Sequence, residues 1–211
     1  MLNPNILRLY AITDRRYLKN IELKEAVEKA ILGGVTCIQL REKNISDNEL
    51  LNLALDIKAV TKKYNIPLII NDNVYLAKEI DADGVHLGAD DTEIEKARLL
   101  LGNNKIIGGT ARTLERALTA EKQGADYLGI GAVFNTTTKA GTTTMTRELS
   151  QKINSTVKIP TVAIGGISRD NVIELNGYGV KGIAVVSSIF SGNDILGNTK
   201  ALLEALNKTD I

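Results

Sequence analysis

The chain has 211 residues, of which 44% are hydrophobic, 24% charged and 4% aromatic, and it carries a net charge of +1. That length supports one substantial core and leaves little for a second, so residues 1–211 read as a single domain. Near-zero charge and few aromatics exclude the basic footprint and stacking platforms of a nucleic-acid binder, and the lone Cys37 excludes an internal disulfide or a cysteine metal cluster.

The first residues, "MLNPNILRLYAITD", lack the basic region and long apolar run of a signal peptide. No stretch approaches the ~18 uninterrupted apolar residues of a membrane span, so a cytoplasmic protein with no membrane partner is expected. The first apolar run is "LRLYAIT" (7–13). Leu23, Ala26, Val27, Ala30 and Ile31 follow at i, i+3, i+4, i+7 and i+8, one apolar stripe of a helix.

The second run is "CIQLRE" (37–42). Alternation puts Cys37, Gln39, Arg41 and Lys43 on one face and Ile38 and Leu40 on the other. Cys37 reads as a small buried side chain. Ser46-Asp47-Asn48-Glu49 is a capping box, and Leu50, Leu53, Ala54 and Ile57 form the stripe of the helix it opens. "PLIIND" (67–72) ends in Asn71 and Asp72, and "GVHLG" (84–88) is followed by Asp90 and Asp91. Thr92-Glu93-Ile94-Glu95 is a second capping box. His86, the single histidine, reads as a hydrogen-bonded interior residue and cannot form a histidine metal site.

The later runs are "KIIGGTA" (105–111), "YLGIGAV" (127–133), "TVAIGGI" (161–167) and "GIAVVSSIF" (182–190). After the sixth run comes "FNTTTKAGTTTM", a hydroxyl-rich stretch longer than most strand-to-helix loops. Glycines recur at helix ends in "LGGVTCI", "KQGADYL" and "NGYGVKGI", as in a repeated unit.

Eight runs alternating with helical patterns imply parallel strands and helical crossovers, hence a closed (β/α)8 TIM barrel, with an open doubly wound sheet as the alternative. In such a barrel the working residues collect at the C-terminal strand ends. Gln39, Arg41 and Lys43 stand there, and two cations with an amide suit an anionic ligand. Asp72 and Asp91 close adjacent strands; either taken alone reads first as a helix cap, but together, beside Arg41 and Lys43, they suit Mg²⁺. Gly165, Gly166, Val186 and Ser187 lie where a phosphate sits in many barrels, by the seventh and eighth loops. Two anion sites are therefore implied, with the sixth loop between them.

The segments "IQLREK", "LIINDN", "GVHLGADD", Ile106 to Ala117, "GAVFNTTTK", "VAIGGI" and "AVVSSIF" together resemble thiamine phosphate synthases, in order and over nearly the whole chain. The resemblance implies a transferase that joins hydroxymethylpyrimidine pyrophosphate to a thiazole phosphate, carboxylated or not, with Mg²⁺ as cofactor. It implies that Gln39, Leu40, Arg41, Glu42, Lys43, Asn71, Thr110 and Lys139 hold the pyrimidine pyrophosphate. Among these Arg41, Lys43 and Lys139 serve the departing pyrophosphate. Asp72 and Asp91 hold the metal, and Thr136, Thr137, Thr138, Gly166, Val186 and Ser187 the thiazole phosphate. Threonine stands at 110 where serine is common in the family, and Ala89, Asn135 and Gly141 replace a usual Gln, Pro and Asp. The subunit number stays open, a homo-oligomer included. A related thiazole tautomerase would carry a histidine near the sixth strand end, where this chain has "GAVF". A non-catalytic regulator would have no use for the whole cation set, and a phosphosugar isomerase would need an acid/base pair at the mouth.

Overall fold

A computed structural model describes residues 2–89, 91–136 and 144–211. Eight strands form the centre: β1 (Leu9–Ile12), β2 (Cys37–Leu40), β3 (Leu68–Asn71), β4 (Gly84–Leu87), β5 (Ile106–Ala111), β6 (Tyr127–Gly131), β7 (Thr161–Ile164) and β8 (Ile183–Val185). Each pairs in parallel with the next, and β8 pairs with β1, with Tyr10 opposite both Cys37 and Ala184. Closure excludes the open sheet.

Around this barrel lie α1 (Leu23–Leu32), α2 (Asp47–Lys63), α3 (Val74–Glu79), α4 (Ile94–Leu101), α5 (Leu114–Lys122), α6 (Arg147–Thr156), α7 (Ser187–Phe190) and α8 (Ile195–Leu206). The expected α1 stripe is the face it buries: Leu23, Ala26, Val27, Ala30 and Ile31. Ser46 caps α2, its hydroxyl accepting from Glu49 N at 3.2 Å. The second capping box is not formed: α4 begins at Ile94 behind Glu93, which makes no side-chain cap bond. The eighth run is not one strand either. It turns at Val186 into the short α7, because Ser187–Phe190 pack Ile189 and Phe190 inward as helix residues. After β7 the crossover holds only a 3-10 turn, Val172–Leu175. Among the described residues no helix is long and apolar enough to cross a membrane.

Strand alternation divides the core into two. Ile38 and Leu40 face the helices with Leu68, Ile70, Val85, Leu87, Leu128 and Ile130. Tyr10, Ile12, Cys37, Ile69, Tyr127, Val162 and Ala184 fill the barrel interior. This interior layer forms the floor from which the C-terminal strand ends project.

Candidate active site

One cavity of about 490 Å³ opens at the C-terminal ends of the strands, within the size range of small-molecule pockets. Gln39 (β2), Arg41 just past the end of β2, Asn71 (β3), His86 (β4) and Thr110 (β5) line one side. Asn135, Thr136, Gly165, Gly166, Val186 and Ser187 line the other. The cavity therefore brings Gln39, Arg41, Asn71 and Thr110 together with Gly166, Val186 and Ser187, while Lys43, Asp72 and Asp91 do not line it.

On the β2 side, Gln39 is 2% exposed and its amide Nε2 donates to Tyr10 Oη at 2.8 Å. This is the buried partner a strand-interior amide needs. Arg41 reaches the cavity with its Nη1 3.8 Å from Asp14 Oδ2. Leu40 and Glu42, whose neighbours line the cavity, do not line it themselves. The Leu40 side chain belongs to the helix-facing core. The Glu42 carboxylate accepts from Arg15 Nε at 3.0 Å and from Thr13 Oγ1 at 3.0 Å. Burial pushes the Glu42 carboxyl up, against the pull of those two donors.

At the rim, Lys43 Nζ donates to Asp72 Oδ2 at 2.7 Å. Asp72 adopts φ 62°, a left-handed conformation that aspartate tolerates better than most side chains. Neither acid caps a helix. Asn73 caps α3, accepting from Leu76 N at 2.9 Å. Asp91 Oδ2 instead accepts from Gly88 N at 2.6 Å, across the end of β4. The two carboxyl groups also hydrogen-bond each other. Burial and then the Asp72 carboxyl raise Asp91. Burial raises Asp72 too, but its bonds with Asp91 and Lys43 outweigh that and hold it low. Two acids thus meet beside one lysine, an arrangement with negative charge to spare.

On the opposite side, Gly165 and Gly166 both have left-handed backbone, φ 101° and 67°. A Cβ on Gly166 would overlap Asn135 O and Phe134 Cβ, so only glycine lets the β7 and β6 loops meet. Asn171 Nδ2 fixes the turn by donating to Gly166 O at 2.9 Å. Thr137, Thr138 and Lys139 lie outside the described residues, as does Asp90, and Thr136 lines the cavity next to them.

Three features escaped the sequence reading. Asp14 closes β1 and accepts from Arg16 Nε at 2.9 Å while facing Arg41. Arg112 lines the cavity two residues after Thr110, so the alternation that singled out Arg41 after Gln39 would have found it. His86 and Thr110 are joined, Nε2 to Oγ1, at 3.1 Å.

A family profile described as thiamine monophosphate synthase matches residues 9–189. The thiamine-phosphate synthase of Caldanaerobacter subterraneus subsp. tengcongensis is 49% identical over 95% of this chain and 94% of its own. That of Clostridium tetani is 47% identical over 92% of this chain and 94% of its own. The solved structure of thiamine phosphate pyrophosphorylase from Pyrococcus furiosus superposes with a TM-score of 0.89 at 41% identity, covering 97% of this chain and 98% of that one. The chain belongs to the thiamine monophosphate synthase family.

Proposed function

We propose that the protein joins 4-amino-5-hydroxymethyl-2-methylpyrimidine pyrophosphate to a thiazole phosphate, giving thiamine phosphate and pyrophosphate. The observation that carries this reading is the two-sided cavity. A cation-and-amide wall at β2–β5 faces a glycine cradle at β7–β8 across about 490 Å³, room for two small rings. Gln39, Asn71 and Thr110 hold the pyrimidine end, and Arg41 and Lys43, with Lys139 from the sixth loop, hold its pyrophosphate. Gly166, Val186 and Ser187, with Thr136 to Thr138, hold the thiazole phosphate. For Leu40 and Glu42 only backbone contact is compatible with where their side chains go.

The paired Asp72 and Asp91 fit a hard dication. They offer oxygen ligands, their mutual repulsion is only partly offset by Lys43, and Mg²⁺ commonly uses one or two carboxylates with water and phosphate oxygens. Mg²⁺ held there would neutralise charge on the pyrophosphate as it leaves.

The chain's own residues need supply no nucleophile. Cys37 is 1% exposed, and burial pushes its thiol well above the usual range, so it stays an inert thiol. The bond from the pyrimidine methylene carbon to the pyrophosphate oxygen breaks with its electron pair on oxygen, where Arg41, Lys43 and Lys139 meet the developing charge. The aminopyrimidine delocalises the resulting cation. The thiazole nitrogen, held by its phosphate on the far wall, supplies the electron pair of the new bond. The cavity positions the two partners, and once both fill it little water is left there to capture the cation. A cytoplasmic enzyme is the reading that goes with these soluble substrates.

The test incubates the protein and Mg²⁺ with each substrate singly and with both, following pyrophosphate. Release that needs both substrates, with thiamine phosphate as product, is expected. Binding of thiazole phosphate without turnover would make the protein a regulator, and thiazole chemistry without pyrimidine would make it a tautomerase.

A further inference from the structure

Beneath the β2–β5 wall of the cavity an unbroken file of hydrogen bonds crosses the barrel interior. Gln39 Nε2 donates to Tyr10 Oη at 2.8 Å, and the Tyr10 and Tyr127 hydroxyls lie 2.9 Å apart. Tyr127 Oη lies 3.0 Å from His86 Nδ1, and His86 Nε2 lies 3.1 Å from Thr110 Oγ1. Its ends, Gln39 and Thr110, are pyrimidine-binding residues in the reading above, and its middle three members have no role there. Two glycines make room for it. A Cβ on Gly108 would overlap the Tyr127 ring and His86 Nδ1, and one on Gly129 would stand 3.2 Å from His86 Cε1.

The donors fix the direction of the file. The Gln39 NH₂ can only donate, so the Tyr10 oxygen accepts there. Each phenol has one proton, and burial keeps both phenols neutral. In one direction Tyr10 donates to Tyr127, Tyr127 donates to His86 Nδ1, and His86 Nε2–H donates to Thr110. The Thr110 proton is then left for the cavity. In the other direction every bond reverses after Tyr10, and the proton left over is that of Tyr10, whose neighbour in the buried interior is the Cys37 sulfur. Sulfur is a weak acceptor, and a buried hydroxyl proton without a strong one is costly. The first direction wins, because its spare proton faces a cavity open to ligand and water.

We propose that His86 is a positioning residue: Tyr127 holds it as the Nε2-protonated tautomer, so that it turns the Thr110 hydroxyl into a donor aimed at the bound pyrimidine pyrophosphate. This rests on the proposed function for the identity of the ligand, and on the file alone for the tautomer. At the other end, the commitment of the Gln39 amide nitrogen to Tyr10 leaves its carbonyl oxygen to accept from a ring amino group. Accepting there favours electron release into the ring as the cation forms.

His86 is the only histidine in the chain, so a protein labelled with ¹⁵N-histidine gives one imidazole in a long-range ¹H–¹⁵N spectrum. At neutral pH the Nε2-protonated tautomer is expected, with loss of that preference in Tyr127→Phe. Any other protonation pattern in the unaltered protein overturns the proposal, whether or not the protein makes thiamine phosphate. Kinetics give the second arm. His86→Leu should lower kcat/KM for the pyrimidine substrate about tenfold to a hundredfold and move KM for thiazole phosphate less than twofold. His86→Gln, which can still donate to Thr110, should recover most of the loss. In the His86→Leu background, Thr110→Ala should cost almost nothing more, because the two act as one unit. Full additivity of the two changes, or no recovery with Gln, overturns the positioning role. Should His86→Leu fail to fold, the Tyr127→Phe protein carries both arms, since it removes one hydroxyl and keeps the ring.

Discussion

Gly166→Ala should damage one substrate site and leave the other alone. Gly166 has φ 67°, where a non-glycine residue costs about 1–2 kcal/mol. The added Cβ would also overlap Asn135 O, a backbone atom, and Phe134 Cβ, which is fixed to the backbone, and neither can swing away as a side-chain tip would. The β6 loop must therefore shift, and with it Thr136 and the backbone donors of the cradle. Losing one hydrogen bond to a charged phosphate costs about 1.5–3 kcal/mol, which is a rise of about tenfold to a hundredfold in KM for thiazole phosphate. The pyrimidine wall is built from β2 to β5 and should keep its KM within about twofold. Gly177→Ala separates strain from function: φ there is 79°, yet a Cβ meets nothing within 4 Å, far from the cavity. That variant should lose a few degrees of Tm, at roughly 2–4 °C per kcal/mol for a chain of this size, with both KM values unchanged. Steady-state kinetics with each substrate varied in turn decide the matter. An unchanged thiazole phosphate KM in Gly166→Ala, or an equal rise in both, would refute the cradle.

Asp72→Asn should raise the Mg²⁺ concentration for half-maximal activity at least tenfold and weaken the pyrimidine pyrophosphate, leaving thiazole phosphate binding intact by calorimetry. Lys139→Ala should lower kcat more than it raises either KM, because its ammonium meets charge that appears as the bond breaks; a raised KM with normal kcat would make it a docking residue. Asp14 is held below the usual carboxylate range by the Arg16 guanidinium and backbone N–H, so its contribution to stability is present above the unfolded value of about 3.9 and lost as pH falls through the folded value. Urea unfolding should therefore show Asp14→Asn about 1–2 kcal/mol less stable at pH 7, allowing for the exposure of Arg16, with the gap closing in strong acid; a gap independent of pH would show that charge is not the cause.

The barrel was legible because its signals are local. Alternation along β2 separated Gln39 and Arg41 from Ile38 and Leu40, and the structure puts those pairs on opposite sides of the strand. The eighth apolar run carried the expectation past the strand end to residue 190, although Val186 turns the chain into α7. Capping boxes gave one success, at Ser46, and one miss, at Thr92, where Asp91 bonds back to Gly88 and the helix starts later. What sequence could not give was pairing across the barrel. His86 reads as an interior histidine from its own neighbours, but its partners Tyr127 and Thr110 lie 41 and 24 residues away. Asp14 and Arg41 are likewise joined only through the β1–β2 register.

The central claim is that charge and position alone carry the pyrimidine carbon from oxygen to nitrogen, with no protein atom bonded to it on the way. A single turnover with the methylene carbon labelled, quenched over the reaction's time course and read by intact-protein mass and product analysis, tests this most directly. The label should pass from pyrimidine pyrophosphate to thiamine phosphate, with the protein mass unchanged at every time point. A labelled protein adduct that forms and decays at the rate of turnover would contradict the account.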